Sequence, residues 1–154
     1  QTIPQYYDKL GFSYNKFADS ITVSETEWDF ERYKPDIIVI NLGTNDMNYA
    51  TTDERKAEFE DGYLDFLKKV RSLNPDSYIF QTYGVMGTSL EENIENVRRK
   101  YMSETGDERI TFIPLTMQDE YADGIVADWH PSPRTHSLVS QKVTAAIKET
   151  LGYK

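Results

Sequence analysis

The 154-residue chain has no cysteine, which excludes disulfides, thiolate metal sites and a cysteine nucleophile and leaves the redox compartment open. Histidine is almost as scarce: any chemistry that needs an imidazole has only His130 and His136 to draw on. No apolar stretch approaches the ~20 residues of a membrane-spanning helix. Lys and Arg number 17 against 26 Asp and Glu, and the formal charge of -9 disfavours nucleic-acid phosphates and anionic membranes as partners. A Gly-rich phosphate loop and His-rich ligand spacing are also missing, so no metal or other cofactor is called for. The chain opens on Gln1 without Met, which reads as a processed or truncated piece of a longer protein.

What is present is enough for one domain. A chain of this length buries roughly 70% of the surface it exposes when unfolded, and 11 Tyr, 7 Phe and 2 Trp supply large buried area while also suiting a carbohydrate-facing surface. The run Asp36 to Leu42 is apolar and rich in β-branched residues, the pattern of a strand buried on both faces. Thr52 and Asp53 cap a helix that carries Phe59, Tyr63, Phe66, Leu67 and Val70 inward until Asn74-Pro75-Asp76 stops it. Tyr78 to Tyr83 is the next strand, ended by Gly84. Ser89 and Glu92 form a capping box for a second helix, closed at Gly106-Asp107. Arg109 to Leu115 is a third strand, and Thr135 to Leu151 a last helix with Leu138, Val139, Val143, Ala146, Ile147 and Leu151 on its buried side. Ile3 to Leu10 reads as a short helix, and Gly11 to Glu27 as polar and irregular.

This alternation predicts an α/β fold: a three-layer α/β/α sandwich around a parallel sheet, of flavodoxin-like type. Three strands make a thin sheet for that architecture. The apolar strand Asp36 to Leu42 therefore implies first strands lying before Gln1.

In open α/β sheets ligands bind beyond the carboxyl ends of the strands. Gly43-Thr44-Asn45-Asp46 occupies that place: Gly43 permits a tight turn, Asn45 offers an amide N–H to a developing oxyanion, and Asp46 accepts from loop amides. An ordinary Asn-Asp turn competes with that reading. Asp128-Trp129-His130-Pro131-Ser132 forms a second cluster, in which Asp128 is placed to hold the His130 ring in one tautomer. His136, inside the last helix and without a nearby acid, reads as structural or solvated.

Together these motifs resemble the SGNH or GDSL hydrolase superfamily, whose four blocks carry a nucleophilic Ser, an oxyanion Gly, an oxyanion Asn and a catalytic His. Asn45 matches the third block, His130 the fourth and Asp128 the acid. A finer resemblance, to the second family of carbohydrate esterases, runs through Thr2 to Asp8, Trp28-Asp29-Phe30, Pro35-Asp36 and Gly124 to Ser132, with an Asp-x-His spacing in place of the usual Asp-x-x-His. The resemblance implies a secreted, serine-type esterase acting on acetylated plant polysaccharides such as xylan or on another small ester. Asn45, Asp128 and His130 would be catalytic and Trp129 substrate-binding. It also implies that residues 1–154 are the C-terminal portion of one catalytic domain, with the nucleophile and the oxyanion Gly in the upstream part of the same protein.

Ser20, in Ala18-Asp19-Ser20-Ile21-Thr22, is the rival nucleophile. Phe12 to Phe17 is too polar to be the buried strand such a serine needs, Ala18 stands where the tight turn needs Gly, and too few residues separate Ser20 from Asp36 for a helical crossover of a dozen or more. Ser132 is locked between Pro131 and Pro133. Tyr6, Tyr7, Tyr49, Tyr83 and Met86 are candidates for a sugar platform and equally for core packing. Three other readings stay open: an SGNH lipase, lysophospholipase or thioesterase; a non-catalytic carbohydrate-binding derivative; and a receiver-like domain with the same alternation of elements.

Overall fold

The structure is a computed structural model that describes residues 2–12, the backbone of 16–17, and residues 21–153. Ser20 lies outside the described residues. Three parallel strands form the sheet, in the order β3 (Ile37–Asn41), β4 (Tyr78–Tyr83), β5 (Ile110–Pro114), with Ile37 opposite Tyr78 and Ile79 opposite Ile110. A two-residue pair, β1 (Lys16–Phe17) and β2 (Ile21–Thr22), runs antiparallel in the leading segment.

Alternation along the strands distributes their side chains to two layers. Ile38, Ile40, Ile79, Tyr83, Ile110 and Phe112 face α1 (Asp53–Leu73) and α2 (Glu91–Thr105), whose Leu67, Val70, Ile94 and Val97 are fully buried against them. Ile37, Tyr78, Phe80 and Ile113 face α3 (Pro133–Leu151) through Val139, Val143, Ala146, Ile147 and Leu151. The expected three-layer α/β/α arrangement is thus present.

Local signals set the helix ends. Thr52 Oγ1 accepts from the Arg55 N–H at the start of α1, and Ser132 Oγ accepts from the Thr135 N–H at the start of α3, with Pro133 in the first turn where its missing N–H costs nothing. That proline brings α3 in two residues before the expected Thr135. In α2 the capping box is not formed: Leu90, fully buried, is the N-cap residue, so packing rather than the Ser89 hydroxyl decides where this helix begins. Gly106, at φ 70°, ends it in the left-handed conformation.

Two apolar expectations fail in a related way. Val39 is 47% exposed, because β3 is an edge strand among the described residues and the α3 cluster takes in Ile37 of this strand but not Val39. Leu138, expected on the buried side of α3, is likewise 47% exposed. The leading segment also departs from its expected helix. Only Ile3–Gln5 makes a helical turn; Tyr7 is then drawn onto Phe66 of α1, and Lys69 Nζ binds the Pro4 carbonyl and the Asp8 carboxylate, each at 2.9 Å.

One side chain ties the amino-terminal edge of the sheet together. Arg71, at the end of α1, donates to the carbonyls of Asn74, Pro75, Ser77 and Arg109 and pairs with Asp107 at 2.7 Å. Burial opposes ionisation of Asp107, but the Arg109 N–H, the Tyr101 hydroxyl and the Arg71 guanidinium outweigh it and hold the carboxyl below its ordinary value. A depressed folded-state value stabilises the fold above the unfolded carboxylate value of roughly 4, and that contribution is lost as pH falls through the folded one. We expect Arg71→Met to cost about 3 kcal/mol in urea unfolding. We also expect Asp107→Asn to flatten the fall in unfolding midpoint between about pH 5 and pH 3; an unaltered slope would remove Asp107 from the account.

Candidate active site

The loop leaving β3 turns at Gly43, whose φ of 116° is unfavourable for any other residue. The space beside it is also taken: a Cβ here would stand 3.2 Å from the Tyr83 ring. Asn45 then leads into a helical turn, Asp46–Asn48, and its exposed side chain makes no capping bond to that turn. The amide therefore stands free for other partners at the carboxyl edge of the sheet. Met47 anchors the far side of this loop, its Sδ filling the space a side chain at Gly87 would need.

Histidine 130 is delivered by a loop that leaves β5 and is pinned back onto β4. Leu115 N–H donates to the Tyr83 carbonyl at 2.7 Å and Gln118 N–H to the Val85 carbonyl at 2.9 Å. At its other end the loop is tied to α3, because Asp123 accepts Ser132 Oγ on its carbonyl at 2.6 Å and Arg134 Nε on its carboxylate at 2.7 Å. Ser132 is thereby occupied as a helix cap and loop clasp. Between these anchors, residues 125–131 form a tight turn closed by the Ile125–Pro131 bridge and by Val126 N–H on the His130 carbonyl at 2.9 Å.

Inside the turn the Ala127 carbonyl accepts twice from His130, from the backbone N–H at 3.2 Å and from ring Nδ1 at 3.1 Å. Nδ1 carrying the proton leaves Nε2 as the free base. The expectation gave this place to the Asp128 carboxylate, which makes no hydrogen bond or ion pair among the described residues. The physical reason is the backbone: Asp128 lies at φ 55°, ψ 35°, and the resulting turn carries the 127 carbonyl round onto the imidazole. Trp129 is 62% exposed immediately beside it, and the side chain of Tyr121 on the same loop stands wholly in solvent. His136 is exposed on α3, as expected of a solvated residue.

Other predicted groups are placed elsewhere. Tyr83 is fully buried core and Tyr7 packs between Phe30 and Phe66, which removes both from any sugar platform. Tyr49 is exposed and bonds Glu58. Among the described residues no cluster of three or more His, Cys, Asp or Glu side chains is arranged to hold a metal, and no helix is long and apolar enough to cross a membrane. Sequence reasoning missed the Ala127 carbonyl and the clasp at Asp123. A main-chain acceptor leaves no residue signature, and Asp123 closes the stretch Asp119 to Asp123, whose acidic composition is that of an ordinary solvated face.

The model of the GDSL-like lipase/acylhydrolase family matches residues 4–138, a span that takes in both the Asn45 loop after β3 and the His130 turn before α3. The chain belongs to that family. Among relatives of this GDSL-family chain is the cellulase/esterase CelE of Acetivibrio thermocellus, 35% identical, with 90% of the chain aligned to 17% of the relative. Among solved structures, the acetyl xylan esterase Est2A from the rumen bacterium Butyrivibrio proteoclasticus superposes with a TM-score of 0.86 at 26% identity, over 97% of this chain and 46% of that one. A family two carbohydrate esterase from Clostridium thermocellum, in complex with cellohexaose, gives a TM-score of 0.76 at 35% identity, over 87% and 42% respectively. The GDSL-family chain thus spans less than half the length of each of these proteins. The finer resemblance, to family two carbohydrate esterases, is the one the solved structures carry.

Proposed function

We propose that this chain is the downstream part of a serine-type carbohydrate esterase that removes acetyl groups from polysaccharides such as xylan, with the nucleophilic serine supplied by sequence upstream of Gln1. The observation that carries the proposal is the His130 turn. A solvent-facing imidazole has Nδ1 fixed by a carbonyl, and its Nε2 is left open at the same sheet edge as the unengaged Asn45 amide. The acetyl-xylan and cellohexaose assignments of the relatives supply the substrate class.

Geometry and charge support the following division of roles. Nε2 of His130 takes the proton from the serine hydroxyl as its oxygen attacks the acetyl carbonyl carbon. The C=O π electrons move onto oxygen, where the Asn45 amide donates to the oxyanion. Collapse breaks the bond to the sugar oxygen, which leaves with the proton from Nε2, and water then repeats the sequence on the acyl-serine. Asp128, two residues before His130, adds negative potential near the imidazolium, and Trp129 offers a stacking face to a sugar ring. In this reading an upstream strand carrying the serine pairs with the edge of β3 that is open among the described residues.

Assaying 4-nitrophenyl acetate hydrolysis tests this reading. The 154-residue chain is expected to be essentially inactive and an upstream-extended chain active. In the extended chain Asn45→Ala should lower kcat by ~10²–10³ with little change in KM. Strong activity in the short chain that vanishes on Ser20→Ala would relocate the nucleophile, and full activity in Asn45→Ala would remove the oxyanion role.

A further inference from the structure

Asp128 and Trp129 are consecutive non-glycine residues at φ 55° and 63°, and His130 follows them directly. Left-handed backbone is sterically unfavourable for L-residues and persists only where the surroundings enforce it. The bonds inside the turn, Val126 to His130 and His130 to Ala127, use no polar group of Asp128 or Trp129. Among the described residues a single side-chain hydrogen bond reaches this pair from outside: Gln118 Nε2 donates to the Trp129 carbonyl at 2.7 Å.

Gln118 is well placed to act as a tether. Its own N–H is fixed on the Val85 carbonyl beyond β4, so the bond joins the strained turn to the rigid end of the sheet. Its Oε1 is buried with no hydrogen-bond partner among the described residues, so the orientation of the amide is set by the Trp129 carbonyl alone. An unpaired buried acceptor is itself unfavourable, and it is tolerated here in exchange for that one contact.

We infer that Gln118 is a positioning residue: its bond to the Trp129 carbonyl locks the left-handed Asp128–Trp129 turn and thereby keeps His130 Nδ1 on the Ala127 carbonyl with Nε2 free. The catalytic meaning of this rests on the esterase reading; the tether and the tautomer do not. Gln118→Met keeps the length of the side chain and removes the donor. Ring ¹⁵N spectra of the 154-residue chain at neutral pH should show His130 predominantly protonated on Nδ1. In Gln118→Met they should show it relaxed toward the Nε2-protonated form of a free imidazole, with His136 unchanged as the internal reference.

In the upstream-extended enzyme the same substitution should lower kcat by roughly 10- to 100-fold with KM held. In a Trp129→Gly background, where glycine adopts positive φ without restraint, the loss should shrink to about twofold. An unshifted His130 tautomer in folded Gln118→Met, or an equal loss in both backgrounds, overturns the inference. If Gln118→Met does not fold, Gln118→Glu, which also lacks the donor, gives the same ring readout. A shifted tautomer in a protein that has no esterase activity in any form would sink the esterase reading and leave the tether standing.

Discussion

Replacing His130 with Gln in the upstream-extended enzyme is expected to lower kcat/KM for an acetyl ester by roughly 10⁴- to 10⁶-fold, the scale on which a serine-type site loses its general base. The size follows from scarcity. Residues 1–154 hold no cysteine and one other histidine, exposed on α3, so His130 is the one imidazole of this chain in the candidate site. His136→Gln should leave the rate unchanged. The informative comparison is Asp128→Asn, which should cost less than about tenfold, because Nδ1 is held by the Ala127 carbonyl and not by the carboxylate. Steady-state kinetics on the three variants decide the matter. A loss in Asp128→Asn equal to that in His130→Gln would return the orienting role to the side chain.

Gly84→Ala is expected to cost as much stability as Arg71→Met. Gly84 lies at φ 135°, and a Cβ there would stand 2.3 Å from the Leu115 carbonyl oxygen, which is backbone and cannot swing aside. Strain from the positive φ and from the forced separation of β4 and β5 together amount to about 3 kcal/mol. That is a large share of the ~5–15 kcal/mol that holds a domain folded. Gly106→Ala shares a positive φ but meets nothing within 4 Å, and should cost about 1 kcal/mol. Urea midpoints for the two variants separate crowding from conformational strain; equal losses would show that the clash is relieved by movement. The damage at Gly84 also reaches the site, since Leu115 begins the loop that delivers His130.

Much of the fold was readable because local and tertiary preferences agree. The limits of β4, the Thr52 cap and the Asn74 stop of α1 are each set by residues whose backbone chemistry admits few alternatives. Where the two disagree, packing decides. Leu90 in the core outweighs the Ser89 cap, and the pull of Phe66 on Tyr7 outweighs the helical pattern after Ile3. The apolar run Ile37–Asn41 was identified correctly as a strand, but its exposure depends on what lies beside it, which periodicity does not encode. Within the candidate site, the placement of the Asn45 loop and the His130 turn beyond the carboxyl ends of the strands was legible from position along the chain. The Gln118 contact was not, since an amide in an irregular loop has no periodic or spacing signal.

The acceptor on His130 Nδ1 is a peptide carbonyl, and this has a consequence for how the position varies. No side-chain substitution at residue 127 deletes it, so alanine scanning passes over it in silence. What is heritable is the path of the chain rather than a functional group: the torsion angles of residues 128 and 129 are the sequence-dependent quantity that selects which nitrogen carries the proton. A change of tautomer can therefore originate at positions that never touch the ring.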